Sequence, residues 1–281
     1  METPDNNFAL LLSGRADKFR KTKHRILSEL NRDFGGVHIY SATWKDQFVN
    51  INPQFNNDVD YVRSTIEVAD TSFVAFNSQF HNLVSNHEML DDFIDFQTKF
   101  DTELNLIQFI KYYAPTMLVI KVFELFYDTV NDRNLKYKYV MRSRFDLLFQ
   151  DFATPEVIDW NTEEHKNLLY TKNVEPTHAD QDSYLGTQET FLNVTGNFKK
   201  VALSTLETFY RDVLLQNVPA DDIRLWPESI FKNIMTGIGV ELKNRYPYSH
   251  TGIYRNELDD YGHVRDIRKR NLSENLKFSW K

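Results

Sequence analysis

The sequence predicts an α/β fold in which helices flank a mostly parallel β-sheet. An apolar strand that ends in a glycine, FALLLSG at 8–14, precedes a helical run at 18–34 and a second strand, VHIYSATW at 37–44. A strand, a helix and a strand in this order place the two strands side by side and parallel. A long apolar helix and a third strand, YKYVMRSRFDLLF at 137–149, continue the alternation. Ligands of such parallel sheets bind at the carboxyl ends of the strands.

The remaining elements are less regular. Residues 45–100, rich in Asn, Asp and Phe, are predicted to form loops and short helices over the sheet edge. The run at 105–133 is predicted to be helical with an interruption at Pro115, because the residue before a proline disfavours α geometry. Toward the carboxyl terminus the sequence predicts a strand at 167–174 and helices at 201–218 and 227–239. Without repeats or linkers, a single domain over 1–281 is the economical interpretation, with 251–281 as a basic C-terminal extension.

The composition limits the chemistry that the chain can perform. The sequence contains no cysteine, which excludes disulfides, thiolate nucleophiles and cysteine zinc sites and leaves Asp, Glu and His as metal ligands. A metal ion bound by such ligands would be hard, such as Mg²⁺ or Mn²⁺. The longest apolar stretches fall short of the roughly 20 residues that cross a bilayer, and the N-terminus lacks signal-peptide character. We therefore expect a cytoplasmic protein without a membrane span.

The charge is unevenly distributed along the chain. A net charge of -7 argues against a protein that coats nucleic acid by charge alone. Two basic runs nevertheless stand out, RADKFRKTKHR at 15–25 and HVRDIRKR at 263–270. Each run is either a solvated helix face or a surface that binds phosphate.

The third strand carries charges that a buried sheet should exclude. Arg142, Arg144 and Asp146 interrupt its apolar run. Because residues two apart share a strand face, the three side chains are predicted to point to the same side. Two cations and a carboxylate in this place need a partner that offsets the cost of burying their charges. The end of the strand is therefore the first candidate for a binding site.

Five motifs together carry a resemblance to known enzymes. In chain order they are ALLLSGRADKF, VHIYSATW, YKYVMRSRFDLLF, DQDSYLGTQETF and WPESIFKNIM. The ordered set, which spans roughly residues 8–250, resembles a loosely defined group of glycosyltransferases found in bacteria and phages. The R-x-R-x-D strand end is the central motif of this resemblance. The resemblance implies a GT-A-like, that is Rossmann-like, fold. It also implies transfer of a hexosyl or pentosyl group from a UDP-sugar or another nucleotide-diphosphate sugar to a hydroxyl.

The resemblance implies a donor site at the end of the third strand. Arg142 and Arg144 would neutralise or orient anionic groups of the donor, and Asp146 would meet a divalent cation, Mg²⁺ or Mn²⁺, or the ribose hydroxyls. Many GT-A enzymes hold the metal ion with an Asp-x-Asp motif, whereas RSRFD has one acid, so metal dependence stays open. His250 is a second candidate metal ligand or phosphate contact, and the alternative is a structural histidine.

The turn after the first strand is another candidate contact with the donor. Ser13, Gly14 and Arg15 would present backbone N–H groups and a guanidinium to the nucleotide or its phosphates. An ordinary βα turn with a surface arginine is the alternative interpretation.

Three acids are candidates for catalysis. An inverting transfer needs a carboxylate or histidine that deprotonates the acceptor hydroxyl. Asp180 and Asp182, in HADQDSYLG, either serve this purpose or belong to a helix cap or surface loop. Glu228, in WPESI, is either a general base or sugar ligand, or a glutamate that the helix dipole favours in a first turn.

The acceptor is predicted to be either a hydroxylated base in phage DNA or a surface glycan. If the acceptor is DNA, in the host cytoplasm, basic side chains should track its phosphates: Arg20, Lys21, Lys23, Arg268, Lys269 and Arg270. Tyr184 or Trp226 would then stack on the base. Two other functions remain open, namely a nucleotide-binding hydrolase or nucleotidyltransferase and a non-catalytic nucleotide-binding module.

Overall fold

The computed structural model describes most of the chain between residues 8 and 253. The ranges that it describes are 8–17, 19–34, 36–48, 52–55, 57–101, 103–152, 167–171, 183–216, 218–219, 222–225, 227–244 and 248–253. Statements about the structure apply to these residues.

The strands build one large sheet and two small ones. In chain order the strands are β1 (Phe8–Ser13), β2 (Val37–Trp44), β3 (Asp46–Phe48), β4 (Ile66–Val68), β5 (Phe80–Val84), β6 (Tyr139–Ser143), β7 (Leu147–Phe152), β8 (Leu168–Thr171), β9 (Tyr184–Gly186), β10 (Glu241–Asn244) and β11 (Tyr248–Ile253). Within the described part of the chain the main sheet has seven strands in the order β10-β8-β9-β6-β1-β2-β5. β9 is antiparallel to β6 and β8, and the other neighbouring pairs are parallel. β3 pairs with β4 and β7 with β11, both antiparallel.

Helices flank the main sheet. They are α1 (Phe19–Phe34), α2 (Val59–Ser64), α3 (Ser72–Asn77), α4 (Asn86–Phe100), α5 (Leu106–Arg133), α6 (Gln188–Phe209) and α7 (Pro227–Ile238). α6 continues into a π-helical turn at Tyr210–Leu214. Three of the longer helices are capped at their N-termini by a side chain that accepts a hydrogen bond from a backbone N–H group of the first turn. The capping residues are Ser85 for α4, Asn105 for α5 and Thr187 for α6.

Both faces of the sheet are covered, and the alternation of side chains along β1 divides the core between them. Ala9 and Leu11 belong to the core cluster that includes residues of α4, α5, α6 and α7. Phe8, Leu10 and Leu12 belong to a second cluster, together with residues of α1. Because every residue of β1 is buried, the strand reads as a continuous apolar run, as expected for a parallel strand between two layers of helices.

The short reversed strand β9 lies in a tight space. A Cβ atom at Gly186, in β9, would lie 2.7 Å from the Leu169 side chain and 3.3 Å from the Leu168 carbonyl oxygen of β8. Only glycine fits this position without a shift of its neighbours. β9 thus joins β6 to β8 through three residues, all of which are buried.

The predicted α/β fold with a mostly parallel sheet and flanking helices is confirmed. The first strand–helix–strand unit has the predicted bounds to within a residue, and β1 and β2 are parallel. The prediction for 45–100 was incomplete, because this segment also contains the sheet strand β5 and the 15-residue helix α4. The predicted helix at 201–218 begins earlier, at Gln188, as α6.

The predicted interruption at Pro115 was wrong, because α5 is continuous over Leu106–Arg133. Proline removes one helical hydrogen bond, and the carbonyl that loses its partner belongs to Lys111, an exposed residue, so the loss costs less than it would in the core. By length and composition α5 could cross a membrane, but 61% of its most apolar window is buried inside the fold. α5 therefore fits the description of a core helix, in agreement with the absence of a predicted membrane span.

Candidate functional site

The carboxyl ends of β1 and β6 meet at the point where the strand order reverses. From β1 the chain moves outward through β2 to β5 on one side, and it returns to β6 on the other side of β1. In open α/β sheets such a reversal leaves a crevice beyond the strand ends, where ligands bind. The residues that follow β1 and β6 are therefore the first to consider as a site.

The turn after β1 is held by its own backbone. Gly14 has a φ angle of 126°, a conformation that side chains rarely adopt. Its N–H donates to the Ala42 carbonyl at 3.3 Å, and its carbonyl accepts from Thr43 Oγ1 at 2.8 Å. The prediction that Gly14 presents its N–H to a phosphate is thus wrong for this conformation, because that N–H bonds to β2. Arg15 is exposed, and its guanidinium lies 3.5 Å from the Asp17 carboxylate.

Arg142 is a buried cation that joins three elements. Its Nε and Nη2 atoms donate to Ser13 Oγ at 3.2 and 3.0 Å, which links β6 to β1. Its guanidinium carbon lies 5.5 Å from the centre of the Phe231 ring of α7, within the range of a cation–π contact. Arg142 is only 3% exposed and Ser13 is fully buried. Their geometry favours a structural connection beneath the strand ends over the predicted direct contact with a donor.

Arg144 and Asp146 form a bidentate ion pair directly after β6. Arg144 Nε donates to Asp146 Oδ1 at 2.9 Å, and Nη2 donates to Oδ2 at 2.8 Å. Their side chains are 29% and 20% exposed, so the pair lies at the surface of the fold. Arg144 and Asp146, predicted to share a strand face with Arg142, contact each other in the turn after β6, whereas Arg142 contacts Ser13 and Phe231.

A buried phenylalanine explains why the pair stands in a turn and not in a strand. Phe145 is fully buried, with its ring 5.2 Å from that of Phe19 in an edge-to-face arrangement. Its carbonyl accepts a hydrogen bond from Thr22 Oγ1 of α1 at 2.5 Å. These contacts end β6 at Ser143, so the predicted strand at 137–149 is in fact two strands, β6 and β7. α1 thus fixes the turn that carries the ion pair.

Hydroxyl groups line the other side of the β6 end. Ser143 Oγ lies 3.0 Å from the Oγ of Ser183, which directly precedes β9, and both side chains are buried. Tyr184 follows Ser183 and is 1% exposed within the hydrophobic core. The prediction that Tyr184 stacks on an acceptor base is therefore wrong for this conformation, because its ring has no free face. Trp226 lies outside the described residues.

The candidate catalytic acids and metal ligands are only partly placed. Asp180 and Asp182 lie outside the described residues. The backbone of Glu228 lies in the first turn of α7, and that of His250 lies in β11 opposite Gln150 of β7. Among the residues that the structure describes, no three His, Asp or Glu side chains converge as a metal site would require. Asp146 remains the candidate ligand whose side chain is placed.

The basic residues predicted to contact DNA are partly engaged with the protein itself. Arg20 of α1 lies 3.5 Å from the Asp70 carboxylate and 5.3 Å from the centre of the Phe73 ring. Lys21 and Lys23 belong to the same helix, and Lys23 is half-buried. The second predicted basic group, Arg268, Lys269 and Arg270, lies outside the described range.

Sequence reasoning missed the residues that position Arg142 and the turn. Phe231, Thr22 and Ser183 are each distant in the sequence from the strand end that they contact. No periodicity or short motif links residues on different elements. A preference of arginine for aromatic faces was the available signal, but it does not indicate which of many aromatic residues is the partner.

The comparisons with known proteins add no relative. No protein-family model matches the chain, and no curated protein matches its sequence. The interpretation of the site therefore depends on its own geometry and chemistry.

Proposed function

We propose that the protein is a nucleotide-sugar-dependent glycosyltransferase with a GT-A-like fold. The observation that carries this proposal is the Arg144–Asp146 pair, which lies at the surface directly after β6, where the strand order reverses. A cation and a carboxylate at this edge suit a ligand with both phosphate and hydroxyl groups. The resemblance of the ordered motifs to glycosyltransferases supports the same assignment.

The proposed role of the pair is an exchange of partners when the donor binds. Arg144 leaves the carboxylate and donates its fork of N–H groups to the diphosphate, which arginine binds with matching geometry. The carboxylate oxygens of Asp146 are then free for the ribose hydroxyls or for Mg²⁺ or Mn²⁺. One carboxylate together with substrate phosphates is a usual ligand set for Mg²⁺. A divalent cation in this place would neutralise the charge that grows on the leaving diphosphate.

The transfer itself breaks one bond and forms one. The bond between the anomeric carbon and the diphosphate oxygen breaks, and the acceptor oxygen bonds to that carbon. In an inverting reaction the acceptor proton passes to a carboxylate. Asp180, Asp182 and Glu228 are the candidates for this base, and Arg144 would balance the charge of the departing diphosphate.

Donor binding is the first test of this proposal. Nucleoside diphosphates, with UDP first, are expected to raise the melting temperature in a concentration-dependent manner, because a ligand at 100 times its Kd stabilises a protein by about 2.7 kcal/mol. The shift should grow with Mn²⁺ if a metal ion shares the site. The absence of a shift with every nucleotide would favour a different kind of binding module. Turnover of a nucleoside triphosphate without a sugar would indicate a hydrolase or nucleotidyltransferase.

The acceptor is tested by transfer of a labelled sugar. Hydroxylated duplex DNA, unmodified duplex DNA and a surface glycan are offered in parallel, at about 50 mM salt where phosphate contacts are strongest. If DNA is the acceptor, replacing Arg20, Lys21 and Lys23 by glutamine should reduce the salt dependence of binding by roughly 0.9 in log–log slope per lost contact. Label in the glycan, with no binding to either duplex, would assign the glycan as acceptor.

A further inference from the structure

A cavity of about 440 Å³ opens between α6 and α7, apart from the residues of the proposed donor site. The two helices approach closely where Gly237 meets Val201, since a Cβ atom at Gly237 would lie 2.9 Å from Val201 Cγ1. From there the cavity extends along α6 to the π-helical turn and to the 3₁₀ turn Ile223–Leu225. Its volume lies within the range of small-molecule sites, roughly 300–1,000 Å³.

The lining combines an apolar floor with groups that form hydrogen bonds. Phe209, Val213 and Ile230 are buried and supply apolar surface. Ser204 and Thr208, one helical turn apart on α6, add hydroxyl groups, and α7 contributes the amide of Asn233. Hydroxyl and amide groups both donate and accept hydrogen bonds. Such a lining matches a ring that has hydroxyl groups at its rim and an apolar face, which describes a sugar.

The charges around the cavity leave one cation in excess. Arg211 pairs with the lining residue Asp212 at 2.7 Å, and the lining residue Arg224 pairs with Asp222 at 2.6 Å. These pairs also hold the pKa values of Asp212 and Asp222 below their usual range, mainly through hydrogen bonds from the two guanidinium groups, so both acids stay ionised at neutral pH. Lys200 lines the cavity without an ion pair among the described residues. Among the described residues that line the cavity, Lys200 is therefore the cation left to pair with a ligand.

We propose that this cavity is a second ligand site that binds an anionic sugar, meaning a sugar ring with one phosphate or one carboxylate group. Lys200 pairs with the anionic group, Ser204, Thr208 and Asn233 bond to ring hydroxyls, and the apolar floor contacts the ring face. The ligand is either a free sugar phosphate or an acidic sugar within a glycan. The site does not depend on the proposed glycosyl transfer, because the cavity contains none of the residues assigned to the donor.

The test is calorimetric titration of the full chain with four probes: glucose 6-phosphate, glucuronate, glucose and inorganic phosphate. At least one of the two anionic sugars is expected to bind ten times more tightly, or better, than glucose and inorganic phosphate. A preference for glucose 6-phosphate points to a free sugar phosphate, and one for glucuronate points to an acidic glycan. No binding of either anionic sugar would overturn the proposal, as would equal affinity for inorganic phosphate.

Neighbouring lysines provide a matched pair of variants. Lys200→Gln is expected to weaken the anionic sugar about tenfold or more, because a hydrogen bond to a charged group is lost. Lys199→Gln removes the same charge one residue away, where the lysine pairs with Glu124 at 3.0 Å, and should leave affinity unchanged. Ser204→Trp, on the exposed rim, should fill the cavity and abolish binding while the UDP-induced shift in melting temperature stays the same. Equal effects of the two lysine variants would contradict the assignment of the site.

Discussion

Asp146→Ala is expected to reduce sugar transfer at least a hundredfold while the melting temperature changes by only a few degrees. Removal of one group that stabilises the transition state commonly costs a factor of 10² to 10³. The fold should persist, because the pair with Arg144 is partly exposed and such pairs contribute about 1 kcal/mol or less. Initial rates at saturating donor, measured beside a thermal melt, check both parts. Asp146→Asn keeps the shape of the side chain and should also lose metal-dependent binding.

A second ion pair of the same geometry serves as the control. Arg224 contacts both carboxylate oxygens of Asp222, and the two residues are also two positions apart. Asp222→Ala should therefore break an equivalent pair without any loss of transfer. Turnover at the wild-type rate by Asp146→Ala would remove Asp146 from the proposed mechanism, whatever the donor affinity.

Arg142→Met is expected to lower the free energy of unfolding by about 2–4 kcal/mol, because the change leaves buried Ser13 without two charged donors and removes the cation above Phe231. The methionine side chain has a similar length, so we expect the loss of stability to come mainly from the lost interactions and not from lost volume. Urea denaturation at constant pH measures the change. The midpoint should fall with little change in the slope, since the folded state remains compact.

Arg144→Met is the matched comparison, because the two arginines differ mainly in burial and partner. Arg144 is 29% exposed in its side chain and pairs with Asp146, which is also partly exposed, so its loss should cost about 1 kcal/mol or less. The same change should raise the donor KM by tens of fold, as expected for a charge-assisted contact with phosphate. A large loss of stability from Arg144→Met with unchanged kinetics would exchange the roles assigned to the two arginines.

The parts of the fold that were predictable depend on local patterns. The apolar run of β1, the helical spacing of α1 and the strand β2 follow one another within 37 residues, and each has a clear boundary in Ser13, Gly14 or Gly36. The strand β5 escaped prediction because its sequence, FHNLV, has no apolar periodicity. β5 belongs to the sheet because it pairs with the edge of β2. This pairing depends on the tertiary structure and not on the local sequence of β5.

The candidate site was predictable in its residue types but not in its pairing. The pattern of RSRFD identified a strand end with unusual charges, and the period of two predicted one shared direction. Phe145 overrides that period, because its burial against Phe19 turns the chain out of the strand. Arg144 and Asp146 then face each other across the turn, while Arg142 stays in the strand and finds Ser13. Such choices depend on α1 and α7, which the short motif does not contain.

The reversed strand β9 has a mechanical consequence. The four strands β5, β2, β1 and β6 form one parallel block, and β8 and β10 form another. β9 joins the blocks with three residues, and its register leaves Leu185 as the residue paired with both neighbours, Met141 on one side and Tyr170 on the other. In the described part of the sheet, a pulling force applied between the blocks meets fewer paired residues at this seam than along the six-residue pairing of β1 with β2. Among the described residues, β9 pairs with β8 through one residue and with β6 through three, so the strands would separate first between β9 and β8, and Ser143 and Ser183 would stay together on the β6 side.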